Sequence, residues 1–160
     1  MRRFFEMTKY KTIVGEQKVR GKKIAIVASR FNEFITQRLL KACLDELTKK
    51  GVLKTDVLIA WVPGSYEIPV TALRFAQKKN IHAVICLGCV IRGETYHFEL
   101  IAQNVAKGIL EASMFTGKSV IFGVLTVETV NQAYKRSEEK GDNKGRDCAV
   151  AALKMIALLK

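Results

Sequence analysis

"AVICLGCVI", residues 83–91, runs nine residues without a charge and mixes β-branched with small apolar side chains; "RGETYHFE", residues 92–99, follows at once. A run of that length with no polar face reads as a strand buried on both sides, as in a parallel sheet covered by helices. Outward from it the same unit recurs. "KIAIVAS" (23–29) precedes "EFITQRLLKACLDELTKKG" (33–51), where Phe34, Ile35, Leu39, Leu40, Cys43, Leu44 and Leu47 recur at helical spacing before a stopping glycine. "DVLIAWV" (56–62) leads into "YEIPVTALRFAQKKN" (66–80), and "AVICLGCVI" itself into "TYHFELIAQNVAKGILEASMFTG" (95–117). "SVIFGVLTV" (119–127) is followed by two helical stretches, 128–139 and 146–160. Four apolar strands separated by helices imply an α/β fold, a parallel sheet buried on both faces with right-handed crossovers, doubly wound or three-layered.

The 160 residues are 49% hydrophobic and 26% charged, enough apolar side chain for one buried core and too little polarity for a disordered chain. A single domain over residues 1–160 is expected, with residues 1–21 as an N-terminal arm. In that arm "YKTIVGEQ" (10–17) carries a strand-like stretch amid basic residues, suited either to pairing with a neighbouring chain or to fraying. No apolar stretch reaches the roughly 18 residues of a membrane span, and the N-terminal segment lacks a signal-peptide core, so a cytoplasmic location is expected. The formal net charge of +12 raises nucleic acid as a partner. Outside the N-terminal segment, however, lysines such as Lys49, Lys50, Lys78, Lys79 and Lys154 are spread along helical faces without interleaved aromatic platforms. That pattern points to a solvated basic surface, with neither nucleic acid nor membrane as partner.

Cys86 and Cys89 form a C-x-x-C that invites a redox or metal reading. Inside a strand, a three-residue offset sends the two side chains to opposite faces about 10 Å apart. A disulfide needs Cα atoms within about 7 Å. Cys43 and Cys148 lie in helical patterns without ligand-like spacing, so four structural thiols and no metal site are expected.

Ligands of open parallel sheets bind beyond the carboxyl ends of the strands. Here those ends carry "SRFNE" (29–33), "VPGSYEIP" (62–69), "IRGETYHFE" (91–99) and, after the fourth strand, "AYKRSEEKGDNKG" (133–145). None is a P-loop or a G-x-G-x-x-G turn, and no G-x-S-x-G elbow exists. "VPGSYEIP" reads as a turn opening a helix, with Ser65 as N-cap and Glu67 in the first turn, where the dipole favours a carboxylate. Gly93 to Thr95 sit at a strand-to-helix turn whose free N–H groups make an anion site. His97, expected one turn into that helix, reaches the same cleft, and an imidazole is the side chain that ordinarily exchanges a proton near neutral pH. His82 receives no role.

Taken together, "RFN", "VPGSYEIP", "GCVIRGETYHFE", "VIFGVLT" and "QAYKRSEEKGDNKG" resemble, in order and spacing, the lumazine synthase family over residues 22–158. These enzymes make 6,7-dimethyl-8-ribityllumazine in the penultimate step of riboflavin synthesis. The resemblance implies a flavodoxin-like three-layer α/β/α sandwich around a four-stranded parallel sheet. It also implies condensation of 5-amino-6-(D-ribitylamino)uracil with 3,4-dihydroxy-2-butanone 4-phosphate, releasing phosphate and water, with no metal or organic cofactor.

The roles it implies are specific. Phe31 would stack on the pyrimidine, and Ser65, Glu67 and the Tyr66 backbone would hydrogen-bond the ribityl hydroxyls. Cys89, Val90 and Ile91 would offer main-chain groups to the pyrimidine edge, Cys89 without a thiol role. Phe122 matches an aromatic contributed across a subunit boundary. The phosphate would lie against the Glu94 and Thr95 amides, with the Thr95 hydroxyl, Arg136 and Lys144 nearby. His97 would transfer protons. The family assembles as homopentamers or icosahedral shells of pentamers, with riboflavin synthase as a candidate partner, and the unextended 137–145 loop is compatible with the shell. Two departures stand out: Tyr66 replaces a usual Trp or Phe, and "RSEEKGDNKG" replaces a segment usually built of Ala, Gly and Thr, which keeps the Arg136 to Lys144 spacing but leaves the loop's shape open. An archaeal-type riboflavin synthase and a non-catalytic basic shell are the alternatives; Phe31, Glu67, His97 and Arg136 together favour lumazine synthase.

Overall fold

A computed structural model of the chain describes residues 11–15 and 20–159. Four strands, β1 (Ile24–Ser29), β2 (Val57–Val62), β3 (Ala83–Ile91) and β4 (Ser119–Val127), form one sheet in the order β2-β1-β3-β4, every pairing parallel. The helices are α1 (Glu33–Lys49), α2 (Ile68–Ala76), α3 (His97–Thr116), α4 (Val130–Lys135) and α5 (Lys144–Leu158). Helices α1 and α5 cover one face and α2 and α3 the other, the three-layer α/β/α arrangement expected.

Strand alternation sorts the core into two halves. Ile24, Ile26, Ile85, Leu87 and Cys89 pack with α1 and α5, while Ala25, Val27, Val84, Cys86 and Val90 pack with α2 and α3. Cys86 and Cys89 thus face opposite layers, and all four cysteines are free and buried. Burial pushes the thiols up, to about 12 for Cys89 and about 11 for Cys148, so none is a ready nucleophile.

Several expectations need correction. Only β1 and β3 are buried on both faces: β2 and β4 are edge strands, and Leu58 (43% exposed) and Phe122 (37%) remain open to solvent. Parallel sheets of this size cover their central strands first, because each helix spans about two strands. The stretch after β4 is helical only over α4, and Arg136–Asn143 turns back on itself through a Ser137–Asn143 bridge. Helix α5 begins two residues early because Asn143 Oδ1 accepts from the Gly145 and Arg146 amides, at 2.9 and 3.4 Å. Ser65 is not the expected N-cap. It opens a short 3-10 turn, Ser65–Glu67, and the Glu67 carboxylate reaches back to accept from the Gly64 amide at 2.9 Å. His97 is the first residue of α3, not one turn inside it. Of the strand-like stretch expected near the N-terminus, residues 11–15 have no regular structure, and the rest of the arm other than Arg20 and Gly21 lies outside the described residues.

Candidate active site

Three strands end at one edge of the sheet, and their unequal lengths open a cleft. Pairing of β1 with β3 stops at Ala28 and Leu87, while β4 follows β3 to Ile91 and Val127. The last three residues of β3, Cys89 to Ile91, therefore extend past β1, and the β1–α1 turn reaches over to them. Asn32 makes that turn: it adopts the left-handed conformation (φ 58°), its carbonyl accepts from the Ile35 and Thr36 amides, and its Nδ2 donates to the Cys89 carbonyl at 2.9 Å. The Phe31 amide donates to the Pro63 carbonyl at 3.0 Å, which orients the neighbouring ring; Phe31 stands 69% exposed at the cleft wall.

The cleft measures ≈ 850 Å³ and is mostly apolar with a few polar groups, the usual make-up of a small-molecule site. Phe31, Ser65, Tyr66, Glu67, Val90, Ile91, Thr95 and His97 all line it. Ser65 is buried and its hydroxyl, like that of Ser29, has no hydrogen-bond partner among the described residues. Both hydroxyls converge on Gly88, where an added methyl would lie 2.7 Å from Ser29 Oγ and 3.0 Å from Ser65 Oγ. Of these three residues only Ser65 lines the cleft; Ser29 and Gly88 lie behind it. The Thr95 hydroxyl accepts from the His97 amide at 3.4 Å, which turns the exposed 93–95 segment into the start of α3.

Other expected residues lie elsewhere. Cys89 is wholly buried beneath the cleft, its carbonyl taken by Asn32. Glu94 is exposed beside the cleft and does not line it. Arg136 and Lys144 are brought together, since the Lys144 amide donates to the Arg136 carbonyl at 3.0 Å, yet neither lines the cleft of its own chain. Phe122 sits on edge strand β4, away from it. Among the described residues no cluster of three or more His, Cys, Asp or Glu could hold a metal. His82 lies at the opposite end of the sheet, where its Nδ1 accepts from the Lys23 amide at 3.1 Å.

Sequence reasoning missed three contributors. Asn32 carries a signal, since Asn is among the residues with a side chain most at ease at positive φ. Asn104 also lines the cleft, and with His97, Leu100 and Ile101 it repeats at helical spacing on one face of α3, a pattern visible in the sequence. Arg92 has no local signal. Its guanidinium pairs with Glu99 on the first turn of α3 and with Glu128 after β4, and lies 4.3 Å from the Phe98 ring centroid. It thereby ties the His97 end of α3 to two strand ends, and it holds the Glu99 carboxyl below the usual carboxylate range.

The model of the 6,7-dimethyl-8-ribityllumazine synthase family matches residues 21–160. The chain belongs to that family. A relative from Desulfotalea psychrophila with the name 6,7-dimethyl-8-ribityllumazine synthase is 48% identical over 147 residues, spanning 92% of this chain and 95% of the relative. As a lumazine synthase the chain is a transferase of riboflavin biosynthesis, and its flavodoxin-like sheet is that of the family. The reaction condenses 5-amino-6-(D-ribitylamino)uracil with 3,4-dihydroxy-2-butanone 4-phosphate and releases phosphate and water.

Proposed function

We propose that the cleft at the ends of β1, β2 and β3 is where lumazine forms, and that a second subunit completes it. The observation that carries this is the convergence on one cleft of Phe31, Ser65, Glu67 and His97, which the sequence spreads over three strand ends. Phe31 stacks on the pyrimidine, offering apolar contact and ring attraction. Ser65, with its unpartnered hydroxyl, and Glu67, with the Tyr66 backbone, take the ribityl hydroxyls, while Val90 and Ile91 at the β3 end face the pyrimidine edge, with Cys89 buried behind them. Phosphate lies against the Glu94 and Thr95 amides, and Arg136 and Lys144 supply the charge a dianion requires.

The uracil amine attacks the ketone to give a Schiff base with loss of water. Phosphate then leaves by elimination, and ring closure expels a second water. Holding both reactants together can contribute about 7 to 11 kcal/mol. His97 moves the protons that imine formation and elimination demand.

Phe122, Arg136 and Lys144 stand outside the cleft of their own chain, which supports their contribution from a neighbour. The outer face of α2 and α3, with Val70, Leu110, Met114 and Phe115 (78% and 79% exposed for the last two), supplies apolar surface for such a neighbour. The assembly is a homopentamer of single-domain subunits, or a shell of pentamers, in the cytoplasm; riboflavin synthase, which consumes the product, is the partner such a shell would hold. No helix among the described residues is long and apolar enough to cross a membrane.

The test is an absorbance assay of lumazine formation with both substrates. His97→Ala is expected to lower kcat by about 10²-fold while the KM for ribitylaminouracil stays within about twofold. Arg136→Ala is expected to raise the KM for the butanone phosphate at least about tenfold. Unchanged constants for both variants would remove the assignment.

A further inference from the structure

The loop between Arg136 and Lys144, "SEEKGDN" (137–143), is rich in charged residues, and the fold shows how this chain shapes it. Its base is closed by the Lys144 amide donating to the Arg136 carbonyl, by the Ser137–Asn143 bridge and by Asn143 Nδ2 donating to the Glu138 carbonyl at 3.1 Å. Its tip is held to α5 by one side chain. Arg146, on the first turn of α5, donates through its two terminal nitrogens to the Gly141 carbonyl at 2.9 Å and the Glu139 carbonyl at 2.6 Å. Helix α1 braces the loop from the other side: Lys41 Nζ donates to Glu139 Oε1 at 3.0 Å, and Arg38 Nε donates to the Ser137 carbonyl at 3.2 Å.

We infer that Arg146 is a positioning residue for the butanone phosphate: its forked contact with the Glu139 and Gly141 carbonyls pins the loop to α5 and so sets Arg136 and Lys144 in place before substrate arrives. This rests on the reading of Arg136 and Lys144 as phosphate ligands. A planar guanidinium suits the task, because two donors on a rigid fork fix the direction of the loop as well as its distance. The helix it projects from is itself anchored at that end, where Asn143 caps it and Gly145 lies against the Leu39 backbone. Both terminal nitrogens of Arg146 are engaged by the loop's own carbonyls, so its influence runs through the loop.

Steady-state kinetics on the full-length enzyme test this. Arg146→Ala is expected to raise the KM for the butanone phosphate and the inhibition constant of inorganic phosphate together, roughly tenfold, because ligand groups lose their preset geometry. The KM for ribitylaminouracil and kcat at saturation should each stay within about threefold, a split that a general loss of folded enzyme does not produce. Arg146→Lys keeps the charge but loses the fork, and should behave like Arg146→Ala; full recovery by lysine would overturn positioning in favour of charge alone. An unchanged butanone phosphate KM in Arg146→Ala, alongside a raised one in Arg136→Ala, overturns the inference and leaves the phosphate site standing. If Arg136→Ala leaves that KM unchanged, the phosphate site falls and the inference with it.

Discussion

At Gly88 the absence of a side chain lets two buried hydroxyls, Ser29 and the cleft-lining Ser65, lie close to the β3 backbone. An alanine methyl would also lie 3.3 Å from the Ile68 side chain, itself fully buried, so the site has little room to give. Gly88→Ala is expected to cost about 1 to 3 kcal/mol in urea unfolding through overpacking. It should also raise the KM for ribitylaminouracil more than that for the butanone phosphate; equal effects on both would argue against a ribityl-binding corner. Ser65, Tyr66 and Glu67 of "VPGSYEIP" and Thr95 and His97 of "RGETYHFE" are legible in sequence as cleft residues because chemistry-bearing side chains cluster at a strand end. The convergence of Ser29 with Ser65 is not legible, since Ser29 reads as the last residue of an ordinary buried strand.

Element by element, the strands were readable almost to the residue, since a continuous apolar run is a strong local pattern; the helix ends were not. Helices α4 and α5 show why. Periodicity alone carries a helix through 128–139, but Asn143 satisfies the first amides of α5 and its Nδ2 holds the Glu138 carbonyl, which favours a turn over continued helix. Gly145 then allows α5 to lie against the α1 backbone, where a methyl would run into the Leu39 carbonyl. Backbone cannot yield as a flexible side chain does. Gly145→Ala is therefore expected to cost about 3 kcal/mol or more, at the upper end of overpacking, and a loss under about 1 kcal/mol in urea unfolding would show that the two helices are not locked there.

For the molecule as a whole, the question is which chain completes which site. If Phe122 acts across a subunit boundary, His97→Ala and Phe122→Ala are complementary, because a site can draw its histidine from one variant and its aromatic from the other. Two inactive variants unfolded and reassembled together should then regain about a quarter of the sites in a random cyclic assembly. No gain over the separate variants would mean that both residues serve the same chain's site. The α/β alternation, the parallel sheet and the candidate histidine follow from local patterns, because burial periodicity and turn chemistry act over a few neighbouring residues. Packing alone made β2 and β4 the open edges, hung the β1–α1 turn on the Cys89 carbonyl and left Phe122, Arg136 and Lys144 outside the cleft. Those outcomes depend on contacts between residues far apart in the chain, which no local pattern encodes.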